Sequence, residues 1–265
     1  MTNVEKEMME MKSYAMNLVK EAGVKALSFY GKGDREMKFD TSLITQVELS
    51  VTEFFQSRLS SQFPSHRVFK KSTESVHYTH DQSKHLWIFD PLDGAANIQA
   101  GIPIWGVSLA LFDNFWPVMG ACALPATGDL FHAVAGDCAF RGDLPIHVGG
   151  RDALNDESLL LTFSRFHHRY RSQFPGKVLN FGCTAAHLCY VAMGRADAAV
   201  IANESIEDLA AGCIILEAAG GKIFKMDGTE ISINEYLSGD KIEDHLIVTT
   251  RELFSQVREC IERIR

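Results

Sequence analysis

At 265 residues, 46% of them hydrophobic and 23% charged, the chain can bury a large core as one big domain or two closely joined halves. A formal net charge of −8 excludes the basic face that nucleic acid or an anionic membrane requires, and no run nears the roughly 18–20 apolar residues that span a bilayer. The charged N-terminal stretch has no signal-type apolar core and the six cysteines lack CxxC or zinc spacing, so a cytoplasmic protein with reduced thiols is expected.

Met8, Met11, Ala15, Leu18 and Val19 recur at helical spacing, which predicts an amphipathic helix over 4–30 ending near Gly31. A polar connector containing Lys38 leads to a second helix over 45–60, with Val47, Val51, Phe54, Phe55 and Leu59 on one face. Strands are predicted at 86–89, 107–111 and 118–124, and Gly128-Asp129 turns the chain into a hairpin partner at 130–134. Near 145–156 the composition becomes polar and Gly-rich, which divides the chain into 1–150 and 151–265 as two parts of one unit. The second part alternates: strand 159–163, helix 167–173, strand 178–180, helix 184–194, strand 198–201 and helix 208–219. A strand at 246–249 and a helix from Arg251 complete it. More antiparallel strands first, then alternating strands and helices, predict a layered α/β architecture.

The richest stretch is WIFDPLDGAAN, residues 87–97. Asp90 and Asp93 stand three residues apart around Pro91 at the end of an apolar run. Two carboxylates that converge there suit hard cations, which prefer oxygen ligands. The backbone N–H groups of Gly94, Ala95 and Ala96 follow at a helix start and suit a phosphate. Metal and phosphate on one turn is the layout of metal-assisted phosphoryl chemistry.

These residues resemble the inositol monophosphatase-like, Mg²⁺-dependent phosphatases. WIFDPLDGAANI is similar to that family's W-x-x-DP-[ILM]-DG-[ST]-x-N-[FY], and GIPIWGVSLAL follows it in the same order. GDLFHAVAGDCAFRG resembles its next hairpin, with Cys138 at a glycine position, and CTAAHLCYVAMGRADA resembles the helix behind its substrate pocket. IEDLAAGCIILEAAGG is similar to the second signature, W-D-x-A-A-G-x-x-[ILV]-x-x-E-A-G-G, and KFDTSLITQVE to K-x-D-x-S-x-V-T-x-x-D. The resemblance implies alternating αβαβα layers, as in the inositol monophosphatase and fructose-1,6-bisphosphatase superfamily, and a homodimer. It implies Mg²⁺ held by the carboxylates of Asp90, Asp93 and Asp208 and the carbonyl of Leu92. It also places Gly94, Ala95, Ala96, Gly182 and Thr184 around phosphate and substrate. Asp208 equally suits helix N-capping, which Asp often performs.

Departures from the family pattern fall on one function. The family's Gly-Glu-Glu corresponds here to Lys71-Ser72-Thr73-Glu74-Ser75-Val76, which puts Thr73 at the Glu that binds metal and activates water. Ala95 replaces the hydroxyl residue that orients the attacking water, Glu48 replaces an Asp, and Glu207 replaces the Trp of the second signature. Glu74 is then the candidate water-activating group. Inositol-specific members carry a Glu seven residues before the second-signature Asp. Ile201 stands there in this chain, with Asn203 and Glu204 nearby to reach a sugar or nucleotide hydroxyl or to be solvated. Two readings stay open: a Mg²⁺-dependent phosphomonoesterase acting on a small sugar, polyol or nucleotide phosphate, or a degenerate relative that binds a phosphorylated ligand or protein partner without efficient hydrolysis. The basic cluster Arg165, His167, His168, Arg169 and Arg171 reads as a solvated helix face, His132 as packed or exposed, and Phe112, Phe115 and Trp116 as core or dimer contact.

Overall fold

In the computed structural model, which describes residues 3–34, 40–69 and 84–264, the chain opens with two long helices. In α1 (Asn3–Leu27) Met11, Ala15, Leu18, Val19, Ala22 and Ala26 form the buried stripe. α2 (Thr41–Gln62) buries Ile44, Val47, Val51, Phe55 and Leu59. It starts before the apolar periodicity does because Asp40 caps it, its Oδ1 accepting the Leu43 N–H at 3.0 Å.

A seven-stranded sheet follows in spatial order β1 (Arg67–Val68), β2 (His85–Asp93), β3 (Gly106–Asp113), β4 (Trp116–Leu124), β5 (Asp129–Val134), β6 (Ala139–Arg141) and β7 (Leu144–Ile146). Only the β1–β2 pair is parallel. A short helix, α3 (Ala95–Ala100), separates β2 from β3. Alternation along β2 explains its continuous apolar run. Trp87 and Phe89 pack on the α1–α2 side, whereas Leu86 and Ile88 pack on the other face. At the tip between β3 and β4, Phe112 is buried while Trp116 is 64% exposed.

The second part runs β8 (Leu159–Thr162), β9 (Tyr170–Ser172), β10 (Lys177–Leu179), α4 (Thr184–Ala192), β11 (Ala198–Ile201), α5 (Ile206–Ala218), β12 (Lys222–Lys225), β13 (Leu246–Thr249), α6 (Arg251–Glu259) and β14 (Ile261–Arg263). Five of these strands make a sheet in the order β10-β8-β11-β13-β12, with β13 antiparallel to both neighbours. α4 and α5 lie between the two sheets and share one core with both, through residues such as Ile88, Phe131, Leu188, Leu209 and Val248. α6 covers the outer face of the five-stranded sheet, where Leu253 and Val257 meet Leu160, Val200 and Ile247. The layers are therefore α1–α2, sheet, α4–α5, sheet, α6: the αβαβα order.

One prediction is corrected here. Residues 167–173 are not a helix: a single 3₁₀ turn (Phe166–His168) gives way to β9, which pairs antiparallel with β14 at the C-terminus. Burial of Phe166 and Tyr170, whose rings stack at 5.2 Å, together with that long-range pairing overrides the local helical spacing. The neighbouring His167, His168, Arg169 and Arg171 are exposed, as the solvated-face reading requires.

The middle layer is held at close quarters. A Cβ built on Gly120 of β4 would lie 2.5 Å from the Ala211 carbonyl oxygen of α5, a backbone atom that cannot swing aside. Gly120→Ala is therefore expected to cost about 3 kcal/mol of stability in urea unfolding, the scale of overpacking a tight core. A loss under about 1 kcal/mol would show instead that α5 shifts freely on this sheet.

Candidate active site

Residues three apart in a regular strand point to opposite faces, so Asp90 and Asp93 would not meet in an uninterrupted β2. The β2–β3 register breaks between them: Asp90 pairs with Ser108 and Asp93 with Gly106, so three steps on β2 oppose two on β3. The extra residue, next to a proline that has no N–H to donate, reverses the parity and brings both carboxylates to one side. Gly94 then turns the chain at φ +81°, and a Cβ there would lie 3.0 Å from the Ile104 carbonyl and the Trp105 side chain. Only glycine fits, and α3 starts immediately with the amides of Ala95 and Ala96, which have no intrahelical acceptor at that position.

The other wall comes from the second part of the chain. The Ala185 N–H at the start of α4 donates to Asp93 Oδ2 at 2.5 Å. Asn97 of α3 donates from Nδ2 to the Phe181 carbonyl at 2.6 Å, next to Gly182. Asp208 lies in the first turn of α5, where its Oδ2 accepts from the Ser205 N–H at 2.6 Å and the Ser205 hydroxyl at 2.8 Å. Asp208 thus does serve the helix terminus, as one residue of a capping box. Asp90 behaves alike, its Oδ1 accepting the Leu92 N–H at 3.0 Å. Asp90 and Asp208 each take these fold bonds on one oxygen, whereas Asp93 also receives the Gly94 amide and the Cys183 thiol.

Their mutual influence is plain in their acidities. Burial, then the charges of Asp93 and Asp208, push Asp90 well above the usual carboxylate range. Burial lifts Asp93 to about 6, with Asp208 adding to the rise while the Ala185 and Gly94 amides and the Cys183 thiol oppose it. Among the described residues, none of these carboxylates has a lysine or arginine ion-pair partner. Nor do any three Asp, Glu, His or Cys side chains among them form a ready-made ion cage. The donor set is nevertheless all oxygen and, among the described residues, without a basic counter-charge, which is the chemistry a hard divalent cation offsets.

Two spaces flank this group. A cleft of about 560 Å³ is lined by Glu48, Phe89, Asp90, Leu92, Glu207 and Asp208 among others. A cavity of about 240 Å³ is lined by Phe163, Asn180, Gly182, Thr184, Asn203 and Glu204 among others. Gly182 and Thr184 line this cavity, and the Thr184 hydroxyl donates to Glu204 Oε1 at 3.0 Å. Thr73, Glu74 and Lys38 lie outside the described residues. Cys183 is buried and its thiol is pushed up by burial and by Asp93, so it is not an activated nucleophile.

A family description of the whole chain fits this geometry: the model described as the inositol monophosphatase family matches residues 3–262. The chain belongs to the inositol monophosphatase family. Over 233 residues it is 30% identical to the inositol monophosphatase of Mesembryanthemum crystallinum, covering 83% of this chain and 86% of that protein. It is 28% identical over 231 residues to the histidinol-phosphatase of Chlorobaculum parvum, covering 83% and 87%. The crystal structure of the extragenic suppressor protein suhB from Bartonella henselae superposes with a TM-score of 0.77 over 95% of this chain and 98% of that one, at 24% identity. Phosphatases are thus among its relatives, and their names cover more than one substrate. No helix among the described residues is long and apolar enough to cross a membrane.

In this family member Glu204 is the feature that sequence reasoning underrated. It is only 7% exposed, and burial followed by the charges of Asp208 and Asp93 raises it to about 8. Its short spacing to Asp208 was the available signal, but nothing in the pattern distinguished a loop glutamate turned inward from a solvated one.

His187, on α4 beside the cavity, yields a pH prediction. Its Nε2 accepts the Phe181 N–H at 3.2 Å, its Nδ1 has no partner among the described residues, and burial lowers its pKa to about 4. The folded protein therefore keeps His187 neutral where an unfolded histidine, near 6.5, takes up a proton. The stability tied to this group is present above about pH 6.5 and is lost as pH falls toward 4, by roughly 2–3 kcal/mol at pH 4.5. His187→Gln should reduce the difference in urea-unfolding stability between pH 7 and 4.5 by that amount. An unchanged difference would mean that the ring is solvated.

Proposed function

We propose that the chain is a Mg²⁺-dependent phosphomonoesterase acting on a small phosphorylated metabolite, in the class of sugar, polyol or nucleotide phosphates. The observation that carries the reading is the parity break in β2. It turns Asp90 and Asp93 to one side, opposite the Asp208 terminus of α5, with no basic ion-pair partner among the described residues. Asp90, Asp93 and Asp208, with the Leu92 carbonyl, would hold the cation, which when bound supplies charge stabilisation to phosphate and leaving oxygens.

The chain's own groups do the rest. The Ala95 and Ala96 amides, with the Gly94 turn holding them, orient the phosphate. Gly182 and Thr184 flank the departing alcohol. Water oxygen bonds to phosphorus as the phosphorus–alcohol oxygen bond breaks, and the alcohol leaves with a proton drawn from solvent. Glu74, on the motif alone, is the acceptor of the water's proton, with Thr73 beside it. We place the protein in the cytoplasm as a homodimer, with 1–150 and 151–265 acting as one two-part unit.

The second reading, a phosphate binder without efficient hydrolysis, is favoured by Thr73 and Ala95, which lack the carboxylate and hydroxyl that ready water for attack. Phosphate release across a panel of small phosphomonoesters, with and without Mg²⁺ and with Asp93→Asn as control, separates the two. Mg²⁺-dependent turnover that vanishes in the control supports the enzyme. Silence from folded protein leaves the binder.

A further inference from the structure

The cleft and the cavity are neighbours across a single residue, since Ser205 lines one and Glu204 the other. A cation among Asp90, Asp93 and Asp208 would offset charge on the cleft side. Glu204 faces a different space. Its carboxylate receives the Thr184 hydroxyl and the Ala202 amide, and it has no ion-pair partner among the described residues. Two neutral hydrogen bonds do not offset the burial of a carboxylate beside two further acids. The cavity's lining contains no lysine or arginine, and burial keeps its histidine, His187, neutral, so a second phosphate or a carboxylate on the ligand would meet no cationic side chain there. What the lining does contain is the Phe163 ring, together with the polar groups of Ser164, Asn180 and Asn203. A carboxylate and an aromatic ring around one small space is the chemistry that recognises an ammonium group.

Building on the phosphomonoesterase reading, we propose that this cavity receives the alcohol portion of an amine-bearing phosphomonoester, an amino alcohol or amino sugar phosphate, with Glu204 as counter-ion to the ammonium and Phe163 beside it. Glu204 is thereby the residue that sets specificity. Without a cationic side chain the pocket disfavours bisphosphates, and it leaves neutral polyols as weaker ligands.

Two matched pairs test this: serinol phosphate against glycerol 1-phosphate, and glucosamine 6-phosphate against glucose 6-phosphate. Each pair differs by one ammonium in place of one hydroxyl. With Mg²⁺ present, kcat/KM is expected to favour the amine by tenfold or more in at least one pair, and the pair that does so tells alcohol from sugar. Glu204→Gln, which keeps an acceptor for Thr184, should bring that ratio to within twofold of unity. Equal values for both pairs, or a preference that survives Glu204→Gln in a folded variant, would overturn the proposal. Calorimetric binding of the same pairs needs no turnover. An amine preference in binding without phosphate release would uphold Glu204's role and sink the hydrolase reading, whereas equal affinities, or no binding of either, would sink the specificity proposal.

Discussion

Asp93→Asn is expected to lower Mg²⁺-dependent phosphate release by about 10³-fold while leaving the protein folded. The loss corresponds to about 4 kcal/mol of transition-state stabilisation, the scale on which a bound divalent cation acts on phosphoryl oxygens. The fold should tolerate the change because the asparagine carbonyl can still accept the Ala185 N–H that Asp93 takes now. Removing a charge that burial and Asp208 both disfavour also relieves strain on the apoprotein. The melting temperature without Mg²⁺ should therefore match or exceed that of the unsubstituted chain, and the rise on adding Mg²⁺ should disappear. A variant that melts alike yet keeps its turnover would remove Asp93 from the metal site.

Thr73→Glu combined with Ala95→Thr is expected to act in the opposite direction and to raise turnover by about 10²–10⁴-fold, the usual worth of a positioned general base. A threonine at position 73 cannot accept a proton near neutral pH, and alanine at 95 offers an amide but no hydroxyl. Position 95 is the first residue of α3, directly after the Gly94 turn, and its side chain is only half-buried, so a threonine there is expected to leave the turn in place. Each single substitution should give less than the pair. An unchanged rate in the double variant, with Mg²⁺ binding intact, would locate the deficit in the shape of the pocket rather than in the missing groups.

Much of this arrangement is readable from the chain alone, and the reasons differ from place to place. The stripe from Met11 to Val19 repeats over enough turns to reveal α1, and Asp40 could have been recognised as the cap of α2 by its position before Thr41 and Leu43. β11 and β13 are short apolar runs between turn signals, and their limits coincide with the predicted ones. The segment 167–173 reads as a helix because its local spacing carries no sign of the C-terminal strand that pairs with it. β12 was not anticipated, since its lysines at each end hide a two-residue buried centre. At the site, the residue types of WIFDPLDG pointed to metal and phosphate. The register break that makes Asp90 and Asp93 neighbours is a relation to β3, which no reading of β2 by itself contains. Glu204 shows the same limit: its burial depends on α4 supplying Thr184 from twenty residues away.

The bond from Ala185 to Asp93 spans 92 positions and joins the last residue of β2 to the start of α4. A sequence drifting under selection can therefore not retune the acidic pair without keeping step with the start of α4, nor exchange α5 for a foreign helix without losing the third carboxylate.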